Sequence, residues 1–121
     1  MKGVVKYTIL VSIVIICLIL LYSSMLKLVD FPGMEESFMV WGYSKTTMYI
    51  IGIVELILAV TAFIPQTRFY ALLGIGMLML GAIYTHYVNF EYGEMNSAIF
   101  ILFLSISSII LGFLQKKTFK K

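Results

Sequence analysis

The chain has 121 residues, 61% of them hydrophobic and 12% charged, with a formal net charge of +3. That length allows at most one domain, and the apolar share lies well above the roughly 45–50% usual for soluble globular chains, which excludes an ordinary soluble fold. So small a positive charge does not point to nucleic acid, and a single cysteine, Cys17, excludes an intramolecular disulfide, a CxxC redox pair and a cysteine cluster for zinc or iron–sulfur.

The first apolar run covers residues 4–26, behind Lys2 and Lys6. It is too long for a signal-peptide core and no A-x-A-like site follows it, so it reads as a first transmembrane helix. Cys17 inside it reads as a small side chain facing lipid or another helix. Ile16 stands where a lipoprotein anchor would need a small residue.

The next segment, KLVDFPGMEESFMVWGYSKTT at 27–47, is the longest polar-mixed stretch. Pro32 and Gly33 punctuate it, Met34, Phe38 and Trp41 fall on one helical stripe, and Gly42 offers a stop. The pattern predicts a short helix lying in the membrane interface over 31–43, with an irregular loop as the alternative. Trp41 and Tyr43 suit the headgroup level.

A second span is expected at 48–64, ending in the tight turn Pro65-Gln66-Thr67-Arg68. A third follows at 69–87, a loop at 90–94, a fourth span at 96–114, and a basic tail, QKKTFKK, at 115–121. The expected fold is an all-α integral membrane protein: one membrane domain, a four-transmembrane-helix antiparallel bundle with the short interfacial helix between helices 1 and 2.

Charge sets the expected orientation. With four spans, Lys2, Lys6, Arg68, Lys116, Lys117, Lys120 and Lys121 share one side with no acid. The other side carries Lys27 and Lys45 against Asp30, Glu35, Glu36, Glu91 and Glu94. The positive-inside bias places both termini on the cytoplasmic side of a bacterial-type plasma (inner) membrane.

Helices in lipid associate through small residues. Such stripes occur at Gly52, Glu55, Ala59 and Ala62, at Gly74, Gly81 and Thr85, and at Ser97, Ser105, Ser108 and Gly112; helix one offers Ser12, Ser23 and Ser24. Gly74-x-Gly76 lacks the third glycine and the preceding strand of a nucleotide fingerprint. Tyr84, Tyr87 and Tyr92 read as an interfacial belt, or as phenols lining a polar pocket.

Glu55 breaks the second span. Counted from Thr47 it lies roughly 12 Å deep, in the outer half of a ~30 Å hydrocarbon core. Inserting a charged side chain costs about 2.5–3.5 kcal/mol and neutralising it at pH 7 about 3.7 kcal/mol, so local partners decide its charge state. Lys27 and His86 are the available ones, both starting nearer the outer surface, so pairing needs Lys27 to reach inward or a water to bridge. Gly81 leaves room for such a water. Two readings stand: an interhelical hydrogen-bond clamp without chemistry, or a polar intramembrane site of Lys27, Glu55 and His86 opening outward. His86 alone reads equally as an interfacial histidine. No residue is assigned a catalytic role, a lone histidine makes no metal site, and no nucleophile–histidine–acid arrangement is suggested, which leans away from an enzyme.

The segments SSMLKLVD, GIVEL at 52–56, IPQTR and GAIYTH at 81–86 resemble the DoxX-like membrane proteins, related to the MauE group, over residues 23–114. Members tend to show a small-x-x-Lys end to helix one, Gly-x-x-Glu in helix two and Ala-x-x-x-His closing helix three; here these are Ser24 with Lys27, Gly52 with Glu55, and Ala82 with His86. Ser24 replaces a common glycine, and Ala59 a second glycine after the acid. The resemblance implies a four-helix membrane fold, and some relatives are linked with quinone-coupled redox complexes. With no redox centre of its own, the chain is expected to act as a non-catalytic subunit or as a quinone- or lipid-binding partner of a membrane or extracytoplasmic redox protein. The alternatives are a small proton-coupled transporter using Glu55, and a structural or assembly factor. Beyond the lipid bilayer, a homo-oligomer is a further expected association, and a carrier in particular should dimerise through its spans.

Overall fold

The computed structural model describes residues 2–119. Five helices are present and no strand among the described residues: α1 (Lys2–Leu28), α2 (Met34–Val40), α3 (Lys45–Phe63), α4 (Arg68–Val88) and α5 (Tyr92–Phe119). The four long helices are each long and apolar enough to cross a membrane. α1 packs on α3 and α5, α4 packs on the same two, and α2 rests on α3. The long helices therefore form a four-membered ring, α1–α3–α4–α5, the expected four-helix bundle.

Local chemistry moves several helix ends away from the apolar boundaries. α3 starts at Lys45 rather than 48 because Ser44, in extended conformation, accepts the Thr47 N–H on its Oγ at 3.2 Å. α5 starts at Tyr92 rather than 96 and absorbs most of the loop expected at 90–94. It also continues to Phe119, so the tail expected at 115–121 is a helical extension as far as it is described; Lys120 and Lys121 lie outside the described residues.

Three chain reversals at the α2 end share one geometry. Each closes a helix with a left-handed residue: Asp30 (φ 57°), Gly42 (φ 88°) and Phe90 (φ 60°). After each, an amide reaches back to the helix: Phe31 N–H to Leu26 O at 3.0 Å, Tyr43 N–H to Phe38 O at 2.8 Å, and Glu91 N–H to His86 O at 2.8 Å. These are Schellman closures, which satisfy carbonyls a bilayer surface would otherwise leave bare. Glycine makes such a turn without strain and aspartate with little; Phe90 does so at a steric cost of about 1–2 kcal/mol.

At the opposite end the bundle is solid. Ile9, Ile13 and Ile16 of α1 join Ala59 and Ala62 of α3 and Ala71, Leu72 and Ile75 of α4 in one buried cluster. Arg68 closes that end by donating to the last carbonyls of α3, Nε to Ala62 O at 2.9 Å and Nη2 to Phe63 O at 3.2 Å.

The α1–α3 seam is tied at two places seven residues apart on each helix. Cys17 Sγ donates to Ala59 O at 3.2 Å and Ser24 Oγ to Gly52 O at 2.7 Å. Cys17 thus faces a helix, not lipid, and is fully buried. A Cβ on Gly52 would sit 3.1 Å from Lys27 Cβ and 3.2 Å from the Leu28 side chain, so this crossing is tight even for an added methyl group. It also brings the α1 terminus carrying Lys27 against the turn of α3 that carries Glu55.

Candidate ligand cavity at the α2 end

Above the solid half the ring of helices encloses a cavity of about 760 Å³, within the roughly 300–1,000 Å³ range of small-molecule pockets. Apolar walls come from Ile19, Leu20, Ile51, Met79 and Ile101. Met34, Phe38 and Trp41, the stripe of α2, form its roof. The stripe read from the sequence is real, and it faces the bundle. The wall reaches down to Met77, eleven residues from the end of α4 and so roughly 16 Å deep, about half of a bilayer core. Its exposed members are Tyr22, Tyr43, Met77, Gly81, Glu94 and Ser97, so the cavity opens at its rim and on the side where α1, α4 and α5 expose theirs. Gly81 does not pack helices together: a Cβ there would meet nothing within 4 Å.

Lys27 and Glu55 meet directly, Nζ to Oε1 at 2.8 Å, with side chains only 11% and 4% exposed. Lys27 reaches inward, as pairing required, and Ser23, one turn back on α1, holds the ammonium through its Oγ and, at 3.5 Å, its carbonyl. Oε1 is buried and accepts no hydrogen bond among the described residues. At 2.8 Å between opposite charges, the contact is an ion pair. No hydrogen bond reaches Glu55 Oε2 among the described residues, and Glu55 forms part of the cavity wall.

His86 lines the same cavity but does not join that pair. Its Nδ1 lies 3.0 Å from Glu91 Oε1, which also accepts the Trp41 indole N–H at 2.7 Å. The Trp41 and His86 rings stack edge to face at 5.3 Å. The Schellman turn at Phe90 puts Glu91 back beside His86, and Trp41, expected as a headgroup anchor, ties α2 to the α4–α5 corner. Beside it, Tyr43 and Thr85 share a hydrogen bond of 3.0 Å. On the outer edge Lys45 bridges Asp30 at 2.9 Å and Glu35 at 3.7 Å, exposed pairs of small energetic weight.

The structure therefore brings Lys27 and Glu55 together and sets His86 in a second cluster on the same cavity. The sequence reading missed Ser23, Trp41, Tyr43 and Glu91. Ser23 was findable, as the hydroxyl one turn before a buried lysine; Glu91 was not, since its placement depends on a left-handed phenylalanine. Tyr84, Tyr87 and Tyr92 are exposed and do not line the cavity, in keeping with a belt.

A family model described as the DoxX-like family matches residues 11–108. The chain belongs to the DoxX-like family. The matched stretch contains Lys27, Glu55, His86 and Glu91, so both polar clusters of this DoxX-like chain lie in its family region. Together with the four apolar helices, membership makes it a multi-pass membrane protein. No curated protein and no solved structure matches the chain. Among the described residues, no three His, Cys, Asp or Glu side chains converge as metal ligands would.

Proposed function

We propose that this DoxX-like protein is a non-catalytic membrane subunit that holds a quinone, or a lipid of similar shape, for a partner redox enzyme. The observation that carries the reading is the cavity: mostly apolar, open at the depth of lipid tails, and containing a buried ion pair whose second carboxylate oxygen, Glu55 Oε2, has no hydrogen bond among the described residues. Such a site suits an amphiphile that arrives through the bilayer, with its ring or head near Lys27 and Glu55 and its tail toward lipid. The charge bias supports cytoplasmic termini in a bacterial-type inner membrane. That orientation puts the acidic rim, with Glu35, Glu36, Glu91 and Glu94, on the outer face, where an extracytoplasmic partner would dock.

Purification in mild detergent tests this reading. We expect quinone, a redox partner, or both to be recovered at near-stoichiometric yield; isolation of the lone protein without either overturns it. The carrier reading has less support, because Glu55 is engaged by Lys27 rather than standing alone in the bundle. Equal background flux in proteoliposomes of wild type and Glu55→Gln would dismiss it.

A further inference from the structure

The cavity has an asymmetry between hydrogen-bond donors and acceptors. Most of its strong donor groups face protein acceptors among the described residues. The Lys27 ammonium faces Glu55 Oε1, Ser23 Oγ and the Ser23 carbonyl. The Trp41 indole N–H donates to Glu91 Oε1, and His86 Nδ1 lies 3.0 Å from the same oxygen. Thr85 Oγ1 donates to Gly81 O at 2.9 Å, so the proton in the Tyr43–Thr85 bond comes from the phenol.

The acceptors are not matched in this way. Among the described residues Glu55 Oε2 has no hydrogen bond, in a side chain that is only 4% exposed, and the phenolic oxygen of Tyr43 keeps a second lone pair. The hydroxyls of Ser23 and Ser97 rotate and serve either role, so they do not discriminate between ligands. A ligand carbonyl placed against Glu55 would set lone pairs against an anionic oxygen. A ligand hydroxyl there forms a charge-assisted bond, the strong kind, to a group that otherwise stays unsatisfied.

We propose that the cavity selects its ligand by a donated hydrogen bond, holding the hydroquinone form, with one phenolic hydroxyl on Glu55 Oε2, in preference to the quinone form. This rests on the ligand reading above and makes it directional: the subunit retains the reduced carrier and releases the oxidised one. Sites built to bond a hydroxyl discriminate strongly against analogues that lack it. With an open flank, the expected preference is about tenfold or more in dissociation constant.

The test measures binding to the intact protein in detergent, under anaerobic conditions, of three probes with the same short alkyl tail: a benzoquinone, its hydroquinone, and the hydroquinone dimethyl ether. The ether keeps the shape, removes both donated protons and does not undergo the same redox exchange. Wild type is expected to bind the hydroquinone about tenfold or more tighter than either other probe. In Glu55→Gln, whose amide offers a donor as well as an acceptor, the preference is expected to fall to within about threefold. Because that variant leaves Lys27 uncompensated, Gly81→Leu serves as a second variant: it adds bulk to the cavity wall while keeping both Lys27 and Glu55, and is expected to lose all three probes together. Equal binding of the three by wild type overturns the donor rule and leaves the cavity reading standing. Binding of none overturns both. A hydroquinone preference that persists in a folded Glu55→Gln protein also overturns the donor rule.

Discussion

The two ends of the bundle are built from the same four helices to opposite effect. At the Pro65 end, isoleucines of α1 cluster with alanines of α3 and α4 and the space is filled; at the α2 end, the same ring encloses about 760 Å³. The filled end has hydrophobic contacts and is closed by Arg68 and Thr67 on carbonyls at the end of α3. The hollow end relies on polar ties: Lys27–Glu55 across α1 and α3, Ser24 on Gly52, and Glu91 gathering Trp41 and His86. In lipid, where apolar burial between helices gains little, the solid end is held by close packing and the hollow end by groups hydrocarbon cannot satisfy. A membrane bundle can remain hollow where its polar side chains bridge the gap.

The largest expected effect comes from breaking the principal tie. Lys27→Met leaves the Glu55 carboxylate buried without its partner and should cost about 3–5 kcal/mol, read from thermal or denaturant unfolding in detergent. Replacing both residues, Lys27→Met with Glu55→Met, should recover most of that loss, because an apolar pair of similar volume commonly matches a buried ion pair. A double variant as unstable as the single would mean that the hollow end depends on the ion pair itself.

Matched truncations in the two halves come next. Ile16, fully buried at the solid end, should cost on the order of 2 kcal/mol as Ile16→Ala, since the vacated space has nothing to fill it. Ile51→Ala, which only enlarges an existing void, should change stability by no more than about 0.5 kcal/mol. Equal losses at the two sites, in the same unfolding assay, would erase the distinction between filled and hollow ends.

The glycines draw the same boundary more finely. Gly52→Ala forces a Cβ to 3.1 Å from Lys27 Cβ and should destabilise by about 1–3 kcal/mol through overpacking at the α1–α3 crossing. Gly81→Ala meets open space and should be neutral, or stabilising by up to about 1 kcal/mol from helix propensity. The sign difference between two glycines on adjacent helices is the measurement.

Those glycines also mark how far the fold and the site were legible in the sequence. Span number, the small-residue face of α3 and the isolation of Glu55 could be read from periodicity and hydropathy, because lipid demands long apolar helices whatever their partners. The small-residue stripe of Gly52, Glu55, Ala59 and Ala62 correctly placed the acid on the interior face. The cavity was not legible, since Gly74 and Gly81 look alike as letters, yet one meets Leu58 and the other meets nothing. Nor was the Glu91 cluster, because only Gly42 announces a left-handed closure, while Phe90 adopts it against its own preference. Chain reversals set by tertiary context leave no local signature.

The smallest expected effect concerns the roof. Trp41→Phe keeps a ring against His86 and Phe38 but removes the indole N–H that Glu91 accepts, a loss of about 1 kcal/mol. Since α2 is a short helix between Gly33 and Gly42, both at positive φ, that loss should be confined to the roof. Backbone hydrogen exchange over Met34–Val40 should quicken about fivefold while the buried amides of α1 and α3 keep their protection. Uniform acceleration through all helices would mean that the roof and the packed end unfold as one unit. Acceleration limited to α2 makes the cavity roof an independently opening element over a bundle whose solid half stays closed.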